Sequence, residues 1–405
     1  MQPGSRARAR ALFGAVVAVC LTAAIASVGA FAWWRTLEQA GTPYPALRYA
    51  LGACRAFEEP SGAEGYRAAA SMASDPWLIG ADVGVSARLA DGRMLWAFGD
   101  TFRVPDGTSI SAVRNSMLIA GLGCRRVVLP PDGGAVIPAR QDGVGYWPMS
   151  IVVRPNGSDS MVTVFAERVR GDEQAFDFVN LGPAIATYAV PAGQAPELVS
   201  VEDLGPDSPS RATVGWGAAA ADGGDGYLYL YGTANPDAPM IFGWSVRVAR
   251  TTAARLDDAS SWEYWTGNTW AASSGDAAEV ISAQGGVSQT FSVFAVEGRW
   301  YALSKLDGDL GTDLAVWSAP QPWGPFGDPV SVGQIPNDEN PSILRYMPLA
   351  HPQAQQSGPR HMLVSISRNS LDPHVLADSP SVYRPFFVDI ELPPKPSSRV
   401  LDPRG

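Results

Sequence analysis

One pattern recurs five times along this chain: a β-rich run, a tight polar turn, a second β-rich run, and then looser strands. The paired runs are 79–89 with 93–99, 146–154 with 161–166, 214–221 with 227–232, 287–296 with 299–303, and 342–349 with 361–366. Turn residues such as Ala90-Asp91-Gly92, Pro155-Asn156-Gly157 and Glu297-Gly298 separate them, and the hairpins start roughly 60 to 70 residues apart. Fixed-spacing self-similarity over repeated strands is the signature of a β-propeller, with one four-stranded sheet per blade. The expectation is therefore an all-β, five-bladed β-propeller over residues 76–395, with a sixth blade open if 260–270 forms its own. No sustained helical period follows residue 60, which argues against an α/β barrel. A short helix is expected around 46–57, within a stalk or linker at 36–75, and 396–405 reads as a C-terminal tail.

The N-terminus carries a second strong signal. Arg6, Arg8 and Arg10 precede an apolar run that extends from Ala11 to Trp34 and includes Cys20. About 20 apolar residues cross a bilayer as a helix, and arginines before the span keep that end cytoplasmic. Residues 1–35 thus predict an N-terminal transmembrane helix with the rest of the chain outside the cell membrane. A cleaved signal peptide, cut after Ala30-Phe31-Ala32, is the alternative and makes the protein secreted. Either route exports the domain. Cys54 and Cys124 then meet an oxidising compartment and are expected to form a disulfide, with two buried thiols as the other possibility.

The net charge of −10 gives no electrostatic pull towards nucleic acid, so that partner is set aside. Lysine occurs only at Lys305 and Lys395 while Arg, Ala and Gly abound, a bias that suggests a GC-rich genome such as that of an actinobacterium. No phosphate-binding glycine loop, nucleophile elbow or metal-ligand spacing is present, and no cofactor or metal is expected.

Chemistry in a propeller belongs in the central funnel, where acids from different blades converge. Glycosidic cleavage typically needs two carboxyl groups, one as acid and one as base or nucleophile. Counting back from the first turn places Asp82 opposite Asp100; the same counting puts Glu167 near Met149, and Asp307 near Ser288 and Gln289. Asp82 lies in a small, apolar run, where an unpaired acid is costly without a role. Trp147 and Trp216 sit early on inner strands and could stack on sugar rings, whereas Trp265, Trp270, Trp317 and Trp323 suit packing between blades. His351 follows the fifth inner run, as a candidate substrate contact or a structural residue.

Three strings, Ala81-Asp82-Val83-Gly84, Trp96-Ala97-Phe98-Gly99-Asp100-Thr101-Phe102 and Val113-Arg114-Asn115-Ser116, resemble a family of bacterial five-bladed propellers first catalogued as a domain of unknown function. Some members are endo-D-arabinanases of mycobacterial cell walls. Gly298-Arg299-Trp300-Tyr301, the run from Ala319 to Pro325, and Tyr346 through His351-Pro352 extend the resemblance over 76–390. It implies that Asp82 and Asp100 sit in the funnel with Arg114 and Asn115 as sugar contacts. Where relatives often carry an acid, this chain has Gln289.

These readings make the chain a glycoside hydrolase of arabinan-like envelope polysaccharide. Asp82 would be base or nucleophile, Asp100 its tuning partner, and Glu167 or Asp307 the general acid. A non-catalytic propeller that binds glycan or protein is the rival, and a structural partner in cell-wall synthesis a third.

Overall fold

Alternating, β-branched and aromatic runs bounded by Gly, Asn and Asp fold into five antiparallel sheets that follow one another along the sequence. The computed structural model describes residues 47–394 apart from 72–74, 172–177, 309–310, 337–339 and 341. The anchor expected at 1–35 and the tail at 396–405 lie outside the described residues; among those described, no helix is long and apolar enough to cross a membrane.

The first sheet holds β4 (Gly80–Arg88), β5 (Met94–Arg103), β7 (Ser116–Gly121) and β8 (Cys124–Leu129), with the short β6 (Ser111–Val113) against β5. The second holds β9 (Gly145–Asn156), β10 (Asp159–Gly171), β11 (Phe178–Val190) and β12 (Glu197–Asp203). The third runs β13 (Gly215–Asp222), β14 (Leu228–Ala234), β15 (Ser245–Thr251), β16 (Glu263–Trp265) and β17 (Trp270–Ala271). The fourth is β18 (Ser292–Val296), β19 (Arg299–Lys305), β20 (Asp313–Ala319) and β21 (Val330–Gln334), and the last is β22 (Ile343–Ala350), β23 (His361–Ser370) and β24 (Phe386–Glu391).

The first strand of each sheet touches the first strand of the next, and β22 touches β4, so the inner strands close on themselves. This is an all-β propeller fold, with four sheets of four or more strands and a fifth of three. Residues 260–270 make no further blade, because β16 and β17 extend the third sheet. Local turn chemistry sets the register. Val296 pairs with Arg299 across a two-residue loop in which Glu297 and Gly298 both have positive φ, 50° and 72°, as a type I′ hairpin requires.

Apolar wedges between neighbouring sheets form the core. Trp244, Trp300 and Trp317 fill the gap between the third and fourth sheets, with Trp265, Trp270 and Trp323 packed against them. This is the inter-blade packing expected of the outer tryptophans. Phe165, Trp216 and Trp262 fill the wedge between the second and third sheets.

The helix expected at 46–57 does not form. The segment instead supplies edge strands β1 (Leu47–Arg48) on β12, β2 (Ala50–Leu51) on β8 and β3 (Arg55–Ala56), also on β8. The open backbone edges of β12 and β8 recruit it, since ladder pairing satisfies groups that a single helical turn would leave unmet. The helix lies further on, as α1 (Gly62–Ser71), and packs on β24. The 47–71 part of the presumed stalk is thus part of the propeller. Cys54 and Cys124 are bonded, with Cα atoms 5.2 Å apart.

Candidate active site

The β4–β5 hairpin positions the central acid. Ala81 pairs with Thr101 but Val83 with Phe98, so Asp82 faces Asp100 and Gly99 across a bulge. Val83, a β-branched residue, is held at φ 63°, a strained conformation, and its N–H leaves the ladder to donate to Ser367 Oγ at 2.9 Å. A Cβ on Gly99 would overlap Asp82 Oδ1; glycine is needed there for the carboxyl group to lie flat on the neighbouring strand.

Two tyrosines from the far end of the chain complete the surroundings of Asp82. Tyr346 on β22 donates its hydroxyl to Asp82 Oδ2 at 2.7 Å, and Tyr383 lies beside the same carboxyl group. Burial and the charge of Asp82 keep both phenols far above their ordinary range, so they remain donors. Burial first, and then the negative charge of Asp100, raise Asp82 from 3.8 to about 7, against the opposing tyrosine hydrogen bonds.

Asp100 is held differently. Trp147 on β9 donates its indole N–H to Oδ1 at 2.8 Å, and the Arg114 guanidinium lies 3.3 Å from Oδ2. Burial pushes this acid up as well, while Trp147 and Arg114 pull it back. Both acids are thus raised by burial, and the charge of Asp100 adds to the rise at Asp82. Arg114 reaches its place through a slot walled by Gly145 and Gly171, where a Cβ would collide with its side chain. Phe178 meets Trp147 edge-on, with ring centroids 4.7 Å apart.

Glu167 is a third acid. A bulge at Phe165/Ala166 shifts its partner from the expected Met149 to Trp147, so it stands beside the indole that binds Asp100. It is buried, accepts from the Gly182 amide at 2.8 Å, and is hydrogen-bonded by Gln289. Burial raises it to about 7. Gln289 in turn accepts from Asn180 at 2.9 Å.

The ring thus brings together Asp82, Asp100, Arg114 and Trp147, with Glu167 and Gln289 next to them. It does not bring in the other predicted residues. Asp307 is exposed in a turn, where its carboxylate accepts from the Gly285 amide at 3.0 Å. Asn115 is fully buried, its amide tied to Ile137 and the Tyr146 carbonyl, and so it braces the Arg114 loop from behind. Trp216 is core, 5.0 Å from Tyr264. His351 is buried between the hydroxyls of Ser86 and Ser365, at 2.7 and 2.8 Å, and burial holds it down to about 3, so it is a neutral structural residue. Sequence reasoning missed Tyr383 and the role of Tyr346; no local pattern marks either, because each meets Asp82 only through ring closure.

A family model described as a domain of unknown function, DUF5005, matches residues 72–392. The chain belongs to the DUF5005 family. No curated protein matches it in sequence. Among solved structures, a Bacteroides ovatus protein provisionally described as a hydrolase is similar at 19% identity and a TM-score of 0.64, over 84% of this chain and 93% of that one. An inulosucrase from Halalkalicoccus jeotgali is similar at 14% identity and 0.48, over 88% and 92%. A GH43 β-xylosidase/α-arabinofuranosidase from a compost metagenome is similar at 11% and 0.42, over 85% and 96%. At these identities the likeness of the DUF5005 chain to them concerns the fold alone.

Proposed function

We propose that this chain is a glycoside hydrolase that cleaves arabinan-like polysaccharide of the cell envelope. The three-stranded sheet counts as the fifth blade of its propeller, and residues 1–35 tether it to the outer face of the cell membrane. One observation carries the reading: Asp82 and Asp100 face each other on adjacent strands of an inner hairpin, Asp82 bonded by Tyr346 and Asp100 by Trp147 and Arg114, so the two acids stand in different surroundings. Acid–base cleavage of a glycosidic bond needs such a division of roles. Asp82 supplies the proton to the leaving oxygen as the glycosidic C–O bond breaks, and the Asp100 carboxylate, fixed by Arg114 and Trp147, takes the proton of the water that adds to the anomeric carbon. Glu167, with a similarly raised affinity for its proton, is a second acid within the same ring. The Cys54–Cys124 bond fits an oxidising, extracytoplasmic location.

Full-length protein incubated with arabinogalactan should release oligosaccharides, and Asp82→Asn and Asp100→Asn should each reduce release by about a thousandfold or more. Release that survives Asp82→Asn removes the assignment. A second reading, a glycan-binding propeller without catalysis, is favoured by Gln289, an amide hydrogen-bonded to Glu167 at a position where the family resemblance implies an acid. Binding of arabinogalactan with no release would select it.

A further inference from the structure

A chamber opens beside Glu167. Glu167, Asn180, Arg211, Thr233, Trp244 and Gln289 are among its lining residues. Two of its polar atoms lack what buried polar atoms almost always have. The indole N–H of Trp244, a residue only 5% exposed, meets no hydrogen-bond partner among the described residues, and neither does the buried Oδ1 of Asn180. The neighbours are already engaged: Asn180 Nδ2 donates to Gln289 Oε1 at 2.9 Å, and the Thr233 hydroxyl donates to the Gln289 carbonyl at 2.8 Å. The chamber therefore holds one unmet donor and one unmet acceptor.

We propose that this chamber binds one neutral sugar residue through adjacent hydroxyl groups, as a recognition subsite distinct from the Asp82–Asp100 pair. A hydroxyl both donates and accepts, so two neighbouring ones answer Asn180 Oδ1 and Trp244 N–H together. An anion is the poorer fit. The Arg211 guanidinium lies over the Trp244 ring, 5.1 Å from its centroid, and 3.7 Å from Asp237, so its charge is already directed elsewhere. Glu167 also faces the space, and any ionised fraction of it would repel an anion. The choice of a sugar rests on the glycan reading above; the chamber and its unmet groups do not.

The test is titration of methyl arabinofuranoside into the full-length chain, by calorimetry or ligand-observed NMR, with inorganic phosphate as a second probe. Wild type should bind the glycoside, while Asn180→Ala and Trp244→Phe bind it about tenfold more weakly or worse. Asn180 is only half-buried, so its variant keeps the test valid if Trp244→Phe unfolds. No binding by wild type, undiminished binding by Asn180→Ala, or preference for phosphate would each overturn the proposal. Binding at the chamber without Asp82-dependent cleavage would sink the hydrolase reading and leave the chamber standing; cleavage without chamber binding would do the reverse.

Discussion

Replacing Asp82 by Asn removes an ionisable group while keeping the shape of the protonated carboxyl, so the change isolates what ionisation costs the fold. Asp82 rises from 3.8 to about 7 on folding. Between those values the folded chain binds more protons than the unfolded one. The stability this group contributes is therefore complete below about pH 4 and is lost as pH rises through about 7. A shift of that size corresponds to at most about 4 kcal/mol. Asp82 as a residue is only half-buried and interacts with Asp100, so about 1–2 kcal/mol is the working figure. For a domain this large that amounts to about 1–3 °C in melting temperature. Thermal and urea unfolding of both proteins at pH 5 and pH 8 measures it. The variant's advantage should grow from pH 5 to pH 8, because the loss begins near pH 4 and is complete only above about 7. A variant shifted equally at both pH values, or weakened at pH 8, would refute the reasoning, since neither outcome follows from removing a charge.

Gly99→Ala places a methyl group where Asp82 Oδ1 lies, and should cost about 1–3 kcal/mol while moving the Asp82 titration seen by carboxyl NMR. An unchanged titration contradicts the role given to Gly99. The double change Cys54→Ser, Cys124→Ser opens a covalent loop spanning 70 residues and should cost about 2–4 kcal/mol in urea unfolding, with reduced wild type behaving alike. Because burial holds His351 down to about 3, its imidazole signals should not move between pH 5 and 8; a midpoint near 6.5 would show that it is solvated instead.

Much of the ring was legible because strands and turns are local. All five hairpins lie where alternation and Gly-containing turns place them, and Asp82 faces Asp100 as counting from the turn requires. Counting failed where backbone irregularity intervened. The bulge at Phe165/Ala166 moves Glu167 from Met149 to Trp147, and nothing in that stretch announces it. Asn115 and His351 look like site residues because they are polar; the structure spends that polarity on bonds to neighbouring backbone and hydroxyls. Asp307 sits at a strand end, and in the fold its carboxylate serves a turn. Tyr346 meets Asp82 across 264 residues of sequence, a distance that no periodicity spans.

The cross-link between Cys54 and Cys124 also decides how this molecule carries tension. A pull on the chain ahead of Leu47 first strains the two-residue ladders of β1 on β12 and of β2 on β8. At Cys54 the force then crosses directly to Cys124, and residues 55–123 are left slack inside the covalent loop. Asp82, Asp100 and Arg114 all lie within that loop. Asp82 and Asp100 thus sit on a mechanical bypass, shielded from any load that enters at this end of the chain.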